Sequence, residues 1–421
     1  MTTSFGSLRE IHKKRKECRI CRSTNLIKFL ELGETPLANS FLKSKDEFQS
    51  ELSFPLDVYF CQQCSLVQLL DVIHPEVLFR NYIYVTGTSE TIARHNQEYS
   101  RTVVNTLKMD SHDLVIEIAS NDGSLLTCFK ELGVKTLGIE PAINIAEIAR
   151  SRGIETVTEF FNHQTARNIK ATYGTAKAVI ANNVLAHVDE TRDFMSGCKE
   201  LISPEGMVIV EVPYLRDFLE RLEYDTVYHE HLCYFSVTTL MRLCESVGLS
   251  LVKIEHKPVH GGSLRMYAGH QENYPKHGEA VLKMVAEERQ AGLTNIDRYH
   301  KFARDVQHTK TLLLQLLDEL KSQGKSIAGY GAPAKGNTLL NYCGISTQYL
   351  DFTVDKNPMK VGLFTPGTHI PVLPVSELLE RQPDYVLILA WNFAEEIMRQ
   401  QQEYQARGGK FIIPIPTPTV V

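Results

Sequence analysis

Two cysteine pairs near the N-terminus, Cys18-x-x-Cys21 and Cys61-x-x-Cys64, constrain this chain more than any other feature. A CxxC pair places two thiolates on one tight turn. Two such pairs supply the four sulfurs of a closed, tetrahedral Zn²⁺ site. A closed site has no open position for a substrate, so this zinc is expected to hold a small domain together rather than take part in chemistry. The other reading of the same residues is two disulfides. The opening stretch, Met1 to Ser7, is polar and lacks an apolar signal core, which favours zinc in a reducing, cytoplasmic setting. A gap of 39 residues separates the pairs and contains Pro36-Leu37-Ala38-Asn39-Ser40-Phe41, a loop long enough to be presented elsewhere in the protein. The other cysteines, Cys128, Cys198, Cys233, Cys244 and Cys343, are scattered and are expected to act as small buried hydrophobes.

A chain of 421 residues is expected to hold two or three domains. No apolar run approaches the roughly 20 residues that cross a bilayer, so no membrane association is expected. Net charge is −5, and the only dense basic run is Lys13-Lys14-Arg15-Lys16, read as a solvated helix end. That balance argues against a nucleic-acid partner, which needs a broad basic surface.

Three blocks follow from the pattern: 1–82 around the zinc ligands, 83–270, and 271–421. The middle block opens with a buried strand at Leu114 to Ile118, a turn Ala119-Ser120-Asn121-Asp122-Gly123, and a helix from Ser124. A second strand ends on Glu140. Further strands cover Ala178 to Asn183 and Met207 to Val212. Strands alternating with helices predict a parallel, doubly wound sheet. The last block begins with a long helical region from about Lys276 to Gln323. It then repeats the α/β grammar, with a strand at Ser326 to Tyr330 and a glycine-rich turn, Gly331 to Asn337. The expected fold class is therefore α/β, with a zinc-binding domain, a central Rossmann-like domain and a C-terminal Rossmann-like domain.

The strand-turn-helix at Glu117 to Ser124 points backbone N–H groups at a ligand. Glu140, ending the next strand, is placed to accept both hydroxyls of a ribose. The turn lacks the three-glycine spacing that a pyrophosphate demands, which favours S-adenosylmethionine over a dinucleotide. Candidate cofactor contacts are Glu117, Ala119, Ser120, Asn121, Asp122, Glu140 and Asn182. The segment Tyr228-His229-Glu230-His231 is the densest set of acid–base groups in the chain. A histidine near its ordinary pKa of about 6.5 suits removal of a proton beside a ketone, with a carboxylate to orient the ring and a phenol to donate to the enolate. His187 is a second crevice histidine. His260-Gly261-Gly262-Ser263-Leu264-Arg265 reads as a flexible turn carrying a cation. Lys335, in the glycine-rich turn, is placed to meet a diphosphate, and Asp355 a ribose.

Taken together, the cysteine pairs, Pro36 to Asn39, Glu117 to Leu126, Asn182 to His187, Tyr228 to His231, Gly261 to Arg265 and Gly329 to Asn337 make a specific ordered set. On these the chain resembles the adenosylmethionine-dependent deoxysugar C-methyltransferases, which act on nucleotide-linked keto sugars. The resemblance covers nearly the whole chain. It implies a C-terminal domain that helps hold the nucleotide-sugar, dTDP being the expected nucleotide. It also implies His231 as the catalytic base, with Tyr228, Glu230 and His187 beside it, and structural zinc. Candidate substrate contacts are Asn39, Tyr84, Arg265, Lys335, Asn337 and Asp355. Ala119 departs from the glycine such motifs often carry. A monomer is a reasonable expectation for three mutually packed domains. A zinc-bearing RNA methyltransferase and a non-catalytic zinc and nucleotide scaffold are the competing readings.

Overall fold

The computed structural model describes residues 11–80, 90–258 and 261–421. The first block is antiparallel: β1 (His12–Lys14), β2 (Leu26–Pro36), β3 (Ser53–Cys61), β4 (Val67–Leu69) and β5 (Asp71–Ile73). Phe54, Leu56, Val58 and Phe60 recur at period two on β3 and are buried, so one face of the β2–β3 hairpin is committed to the core. Each cysteine pair sits on a tight turn that ends in a left-handed residue, Arg22 (φ 61°) after Cys21 and Ser65 (φ 65°) after Cys64. The two turns bring all four sulfurs within 4.8 Å of one another. The Cys18–Cys64 and Cys21–Cys61 sulfur separations are 3.4 and 3.5 Å. These are far beyond a disulfide bond of about 2.05 Å. They lie close to the edge of about 3.8 Å for a tetrahedron with Zn–S near 2.3 Å. The remaining five cysteines are also unbridged, and all but the half-buried Cys128 are buried.

The central block builds β6 (Leu114–Ile118), β7 (Lys135–Ile139), β8 (Thr156–Val157), β9 (Ala176–Asn182), β10 (Ile202–Pro213), the short β11 (Cys233–Tyr234), β12 (Leu249–Lys257) and β13 (Ser263–His270). Seven of these form one sheet in the order β12-β13-β10-β9-β6-β7-β8. β6 to β10 are mutually parallel, and β13 enters antiparallel between β10 and β12. Val208 to Val212 are buried along their whole run, as expected of a strand covered on both faces. Strand order reverses between β6 and β9, which opens a crevice at the carboxyl ends of those strands. β11 leaves this block and pairs with β4, Cys233 against Gln68 and Tyr234 against Val67. The zinc block's sheet therefore takes its fourth strand from just behind His231.

The last block adds β14 (Ile327–Tyr330), β15 (Thr353–Val354), β16 (Val372–Leu373), β17 (Tyr385–Ile388), β18 (Lys410–Ile413) and β19 (Thr419–Val420) in the order β16-β15-β14-β17-β18-β19. It reverses again between β14 and β17. The long helical region is two helices, Glu279–Gln290 and Ile296–Ser322, interrupted where Gly292 takes φ 80°. Tyr299 of the second helix packs between Phe29 and Phe60 of the zinc block, with ring centroids 5.1 and 4.7 Å away. Among the described residues no helix is long and apolar enough to cross a membrane.

One expectation is corrected. The basic run is not a solvated helix end. Lys13 and Lys14 lie in β1, paired to β5, and the charges are spent on ion pairs. Lys13, Arg15 and the fully buried Arg19 converge on Asp189 at 2.7, 3.0 and 3.1 Å, and Lys14 meets Asp71 at 3.0 Å. Long basic side chains on and after this strand reach acids distant in sequence, within the zinc block and in the central block, which sequence spacing cannot reveal.

A zinc ion bound by four thiolates contributes folding energy directly. Elemental analysis is expected to find about one zinc per chain. Cys18→Ser is expected to lower the melting temperature and to loosen the segment around His231 as well, seen as faster amide exchange there, because β4 carries β11. Purified, unchelated protein without zinc contradicts this.

Candidate active site

The loop after β6 is shaped by three left-handed residues in five, Ala119 (φ 55°), Asn121 (φ 49°) and Gly123 (φ 72°). Asparagine and glycine tolerate that region; alanine there costs on the order of 1 kcal/mol, so the loop is strained where the family pattern often has glycine. Ser120 donates its N–H to Ile139, and its hydroxyl lies where a Cβ on Gly138 would stand, so the loop closes tightly on β7. Glu140 is buried and accepts the N–H of Asn121 (2.9 Å) on one oxygen and of Ala142 (2.8 Å) on the other. Those bonds fix the carboxylate but leave lone pairs on both oxygens for ribose hydroxyls. Burial raises its pKa against these hydrogen bonds. Asp122 pairs with Arg152 at 2.8 Å. Glu117 is also buried, and its Oε2 has no partner among the described residues. Burial, Asp122 and Glu140 together push its pKa well above the usual carboxylate range. A buried, uncompensated acid next to two others calls for a cationic ligand. S-adenosylmethionine, with ammonium and sulfonium charges and a ribose diol, fits this donor and acceptor set.

His231 lies at the crevice on the other side. Its Nδ1 is 2.8 Å from the Thr226 carbonyl and its Nε2 is 2.7 Å from the Tyr228 hydroxyl. A carbonyl offers no proton, so Nδ1 carries the hydrogen and Nε2 the lone pair, which accepts from Tyr228. Burial, then the facing His187, holds the His231 pKa well below 6.5; the Thr226 bond opposes this and Lys335 adds to it. The ring is therefore neutral at physiological pH. His187 stands 4.8 Å away, edge to face, and burial pushes it down to about 4. Its Nδ1 is buried with no partner among the described residues. The group that orients His231 is the Thr226 carbonyl; the Glu230 carboxylate instead accepts from Asn39 of the Pro36–Phe41 loop at 2.6 Å. His229 faces away, toward the Pro55 carbonyl of the zinc block.

The C-terminal loop arrives from the third side. Lys335, in the first turn of the helix Ala334–Cys343, lies 5.2 Å over the Trp391 ring. Asn337 is fully buried and donates to the Ala38 carbonyl at 2.7 Å. Asp355 spends both oxygens on backbone N–H groups, Ala332 (2.7 Å) and Asn357 (2.8 Å), and so shapes the loop. Arg265 is not on a flexible turn. It lies in β13, buried, with its guanidinium held by Glu211 at 2.9 and 2.8 Å and 3.9 Å over the Tyr99 ring. Tyr84 and His260 lie outside the described residues.

Several residues of the site escaped sequence reading. His95 bonds Glu211 (3.1 Å) and Tyr99 bonds Asn182 (3.2 Å), both from one face of the helix Glu90–Leu107. Asn182, Glu211 and Arg265 are register partners across β9, β10 and β13. The available signal was a single acid in Val208 to Pro213 and a single cation in Leu264 to Ala268, each alone in an apolar strand. Lys360 was also missed: its ammonium bonds the Ala332 carbonyl (2.7 Å) and lies 5.2 Å over Phe41.

Two outcomes follow from this geometry. Glu140→Ala is expected to weaken S-adenosylmethionine binding in calorimetry while the melting curve stays cooperative; an unchanged dissociation constant removes Glu140 from the site. His187 and His229 are both pushed down to about 4 by burial, against about 6.5 unfolded. Between those values the unfolded chain binds protons that the folded chain refuses, so stability is full above about 6.5 and falls as pH drops toward 4. Thermal melts at pH 7.5 and 5 are expected to differ in that direction, and His187→Gln to flatten the difference.

Comparison with known proteins gives the family of each block. Residues 258–416 match a family described as "C-methyltransferase C-terminal domain", 92–254 one described as "Methyltransferase domain", and 18–79 one described as "Putative zinc binding domain". C-methyltransferase NovU of Streptomyces niveus is 36% identical over 414 residues, 98% of this chain and 99% of that protein. Among solved structures, the PH0226 protein of Pyrococcus horikoshii OT3 aligns with a TM-score of 0.36 at 15% identity, over 47% of this chain and 98% of that one. Magnesium protoporphyrin IX methyltransferase of Synechocystis PCC 6803, with bound SAM, aligns at 0.33 and 16%, over 45% of this chain and 88% of that one. The near-complete relationship to NovU and the three consecutive family matches place this chain in the C-methyltransferase family, as an enzyme with an N-terminal zinc-binding domain.

Proposed function

We propose that this enzyme methylates the carbon beside the ketone of a nucleoside-diphosphate deoxy keto sugar, dTDP-linked, with His231 as the base. The observation that carries the reading is the His231 ring: buried, neutral, protonated on Nδ1, with its Nε2 lone pair held by the Tyr228 hydroxyl, a proton donor that a substrate carbonyl can take over. Bound S-adenosylmethionine supplies a methyl group on a sulfonium. Glu140 would hold its ribose, and Glu117, with Asp122 beside it, would balance its positive charge.

His231 Nε2 takes the α-proton, and the electrons of the broken C–H bond pass to the carbonyl oxygen as an enolate. Tyr228, released from Nε2 by the substrate, and His187 donate to that oxygen; one such donor is typically worth roughly 10²–10³ in rate. Glu230, fixed by Asn39, and Lys335 bracket the sugar and its diphosphate. Asn337 and Asp355 act through the loops they hold, and Arg265 through the wall behind Asn182. The closeness of the two reacting carbons supplies much of the remaining acceleration. The 36% identical relative is a C-methyltransferase, which supports carbon as the acceptor.

Labelled S-adenosylmethionine incubated with dTDP- and GDP-linked keto sugars tests the substrate class; no transfer to any keto sugar overturns it. His231→Ala is expected to lower kcat by about 10²–10⁴ with far smaller changes in the binding of either substrate, as for a group needed only in the transition state. Near-normal turnover would defeat the base assignment.

A further inference from the structure

The tautomer of His231 is set by the Thr226 carbonyl, and the residues on both sides of Thr226 are held by the C-terminal block. Asp225 is fully buried, and its Oδ2 accepts from the Trp391 indole N–H at 2.6 Å. Val227 offers its carbonyl to the Thr338 hydroxyl at 3.0 Å. Between them, Tyr224–Thr226 is a single 3₁₀ turn, closed by Thr226 N–H to Glu223 (3.0 Å) and Val227 N–H to Tyr224 (3.1 Å). One turn of that kind has little stiffness of its own. The direction of the Thr226 carbonyl therefore depends on its two anchored neighbours. Trp391 is the only tryptophan in the chain, and it sits at the carboxyl end of β17, in the loop that faces the second crevice.

We propose that Trp391, with Thr338, is a positioning residue for His231: the C-terminal block places the proton on Nδ1 and leaves Nε2 free to act. This rests on the reading of His231 as the base. The block thus does more than hold the nucleotide end of a substrate. It completes the imidazole on a segment that belongs, in sequence, to the methyltransferase block. The tautomer of a histidine follows the hydrogen bond made by its other nitrogen, and a base in the wrong tautomer is a poor base even when its geometry is intact.

The test needs no substrate for its first reading. Zinc-loaded, ¹⁵N-labelled full-length protein is examined by long-range ¹H–¹⁵N correlation of the imidazoles, with His231 assigned by its loss in His231→Gln. The native enzyme is expected to hold His231 as the Nδ1–H tautomer. Trp391→Phe keeps the ring and removes the donor; it is expected to mix the two tautomers. Asp225→Asn keeps an oxygen acceptor for the indole and is expected to leave the native signature. Thr338→Val repeats the cut on the other side of Thr226 and replaces Trp391→Phe if that variant loses its zinc or its cooperative melt. With a keto sugar that the native enzyme methylates, Trp391→Phe is expected to lower kcat about tenfold or more, with KM and S-adenosylmethionine affinity within about threefold. Native tautomer signals in the folded Trp391→Phe or Thr338→Val protein overturn the inference, as does equal loss in Asp225→Asn. A His231→Gln enzyme that keeps turnover overturns the base assignment and leaves the tautomer result standing, so the two failures are distinct.

Discussion

The hydrogen bond from the Asn39 amide to the Glu230 carboxylate, 2.6 Å long, joins a loop of the zinc block to the segment that carries His231. The neighbouring peptide is tied on to the C-terminal helix: Asn337 donates to Ala38 and Thr338 to Val227. Three blocks that already share one continuous apolar core are thus also tied together by hydrogen bonds around this segment. Each of these bonds is buried or half-buried, and leaving one such polar group unpaired costs roughly 1–3 kcal/mol. The bonds share partners, so their losses do not add independently. The segment is rigid because three structures agree on its position.

The zinc site belongs to the same mechanical circuit although it touches no reacting atom. The Cys61–Cys64 turn fixes the joint between β3 and β4. Leu69 on β4 donates to Leu232 at 3.0 Å, and Leu232 donates to Ala186 at 2.8 Å. That chain of bonds runs from the metal, past His231, to the turn carrying His187. Asp189 and Glu190 lie two and three residues beyond His187 and receive the basic residues that precede and follow Cys18. Burying Arg19 costs heavily in solvation, and such a pair is poor evidence of stability. Its effect here is registry, since one acid accepts three cations only when the zinc block is docked one way.

The sequence carried the architecture through local rules. Apolar runs gave β6, β9, β10 and β14, and the acid ending the second strand led to Glu140. Tyr228 and His231 were singled out because four acid–base groups stand together, and His187 separately as a second crevice histidine; the structure sets the two histidine rings 4.8 Å apart. What escaped depends on long-range pairing. Period-two burial made β3 a strand, but nothing in Cys233-Tyr234 announces an edge for β4. His95 and Tyr99 looked like one more helix face until Glu211 and Asn182 stood opposite them. Glu230 read as the ring's orienting acid because it is adjacent in sequence. The role falls instead to a backbone carbonyl, which no residue type encodes. Arg265 read as a mobile cation because two glycines precede it. Those glycines serve close packing, since a Cβ on Gly262 would collide with the Asp217 carboxylate.

A base whose pKa is driven far down by burial looks ill suited to taking a proton from carbon, and the charge geometry resolves the conflict. The depression comes from burying a lone imidazolium beside a facing histidine. In the proposed reaction the imidazolium does not form alone. There the enolate forms with it, a few ångströms away, and two opposite unit charges 4 Å apart attract by about 4 kcal/mol even at an effective dielectric constant of 20. The buried environment that penalises the isolated cation strengthens this pair and the donors around the enolate. In the proposed site the carboxylates of Glu117, Asp122 and Glu140 would face the cofactor, where the charge lost is that of a sulfonium. The site thus pairs an acidic half with the cation that is consumed and a neutral, hydrogen-bonded half with the charges that are created. Neutral His231 on one wall and uncompensated Glu117 on the other are two consequences of that division.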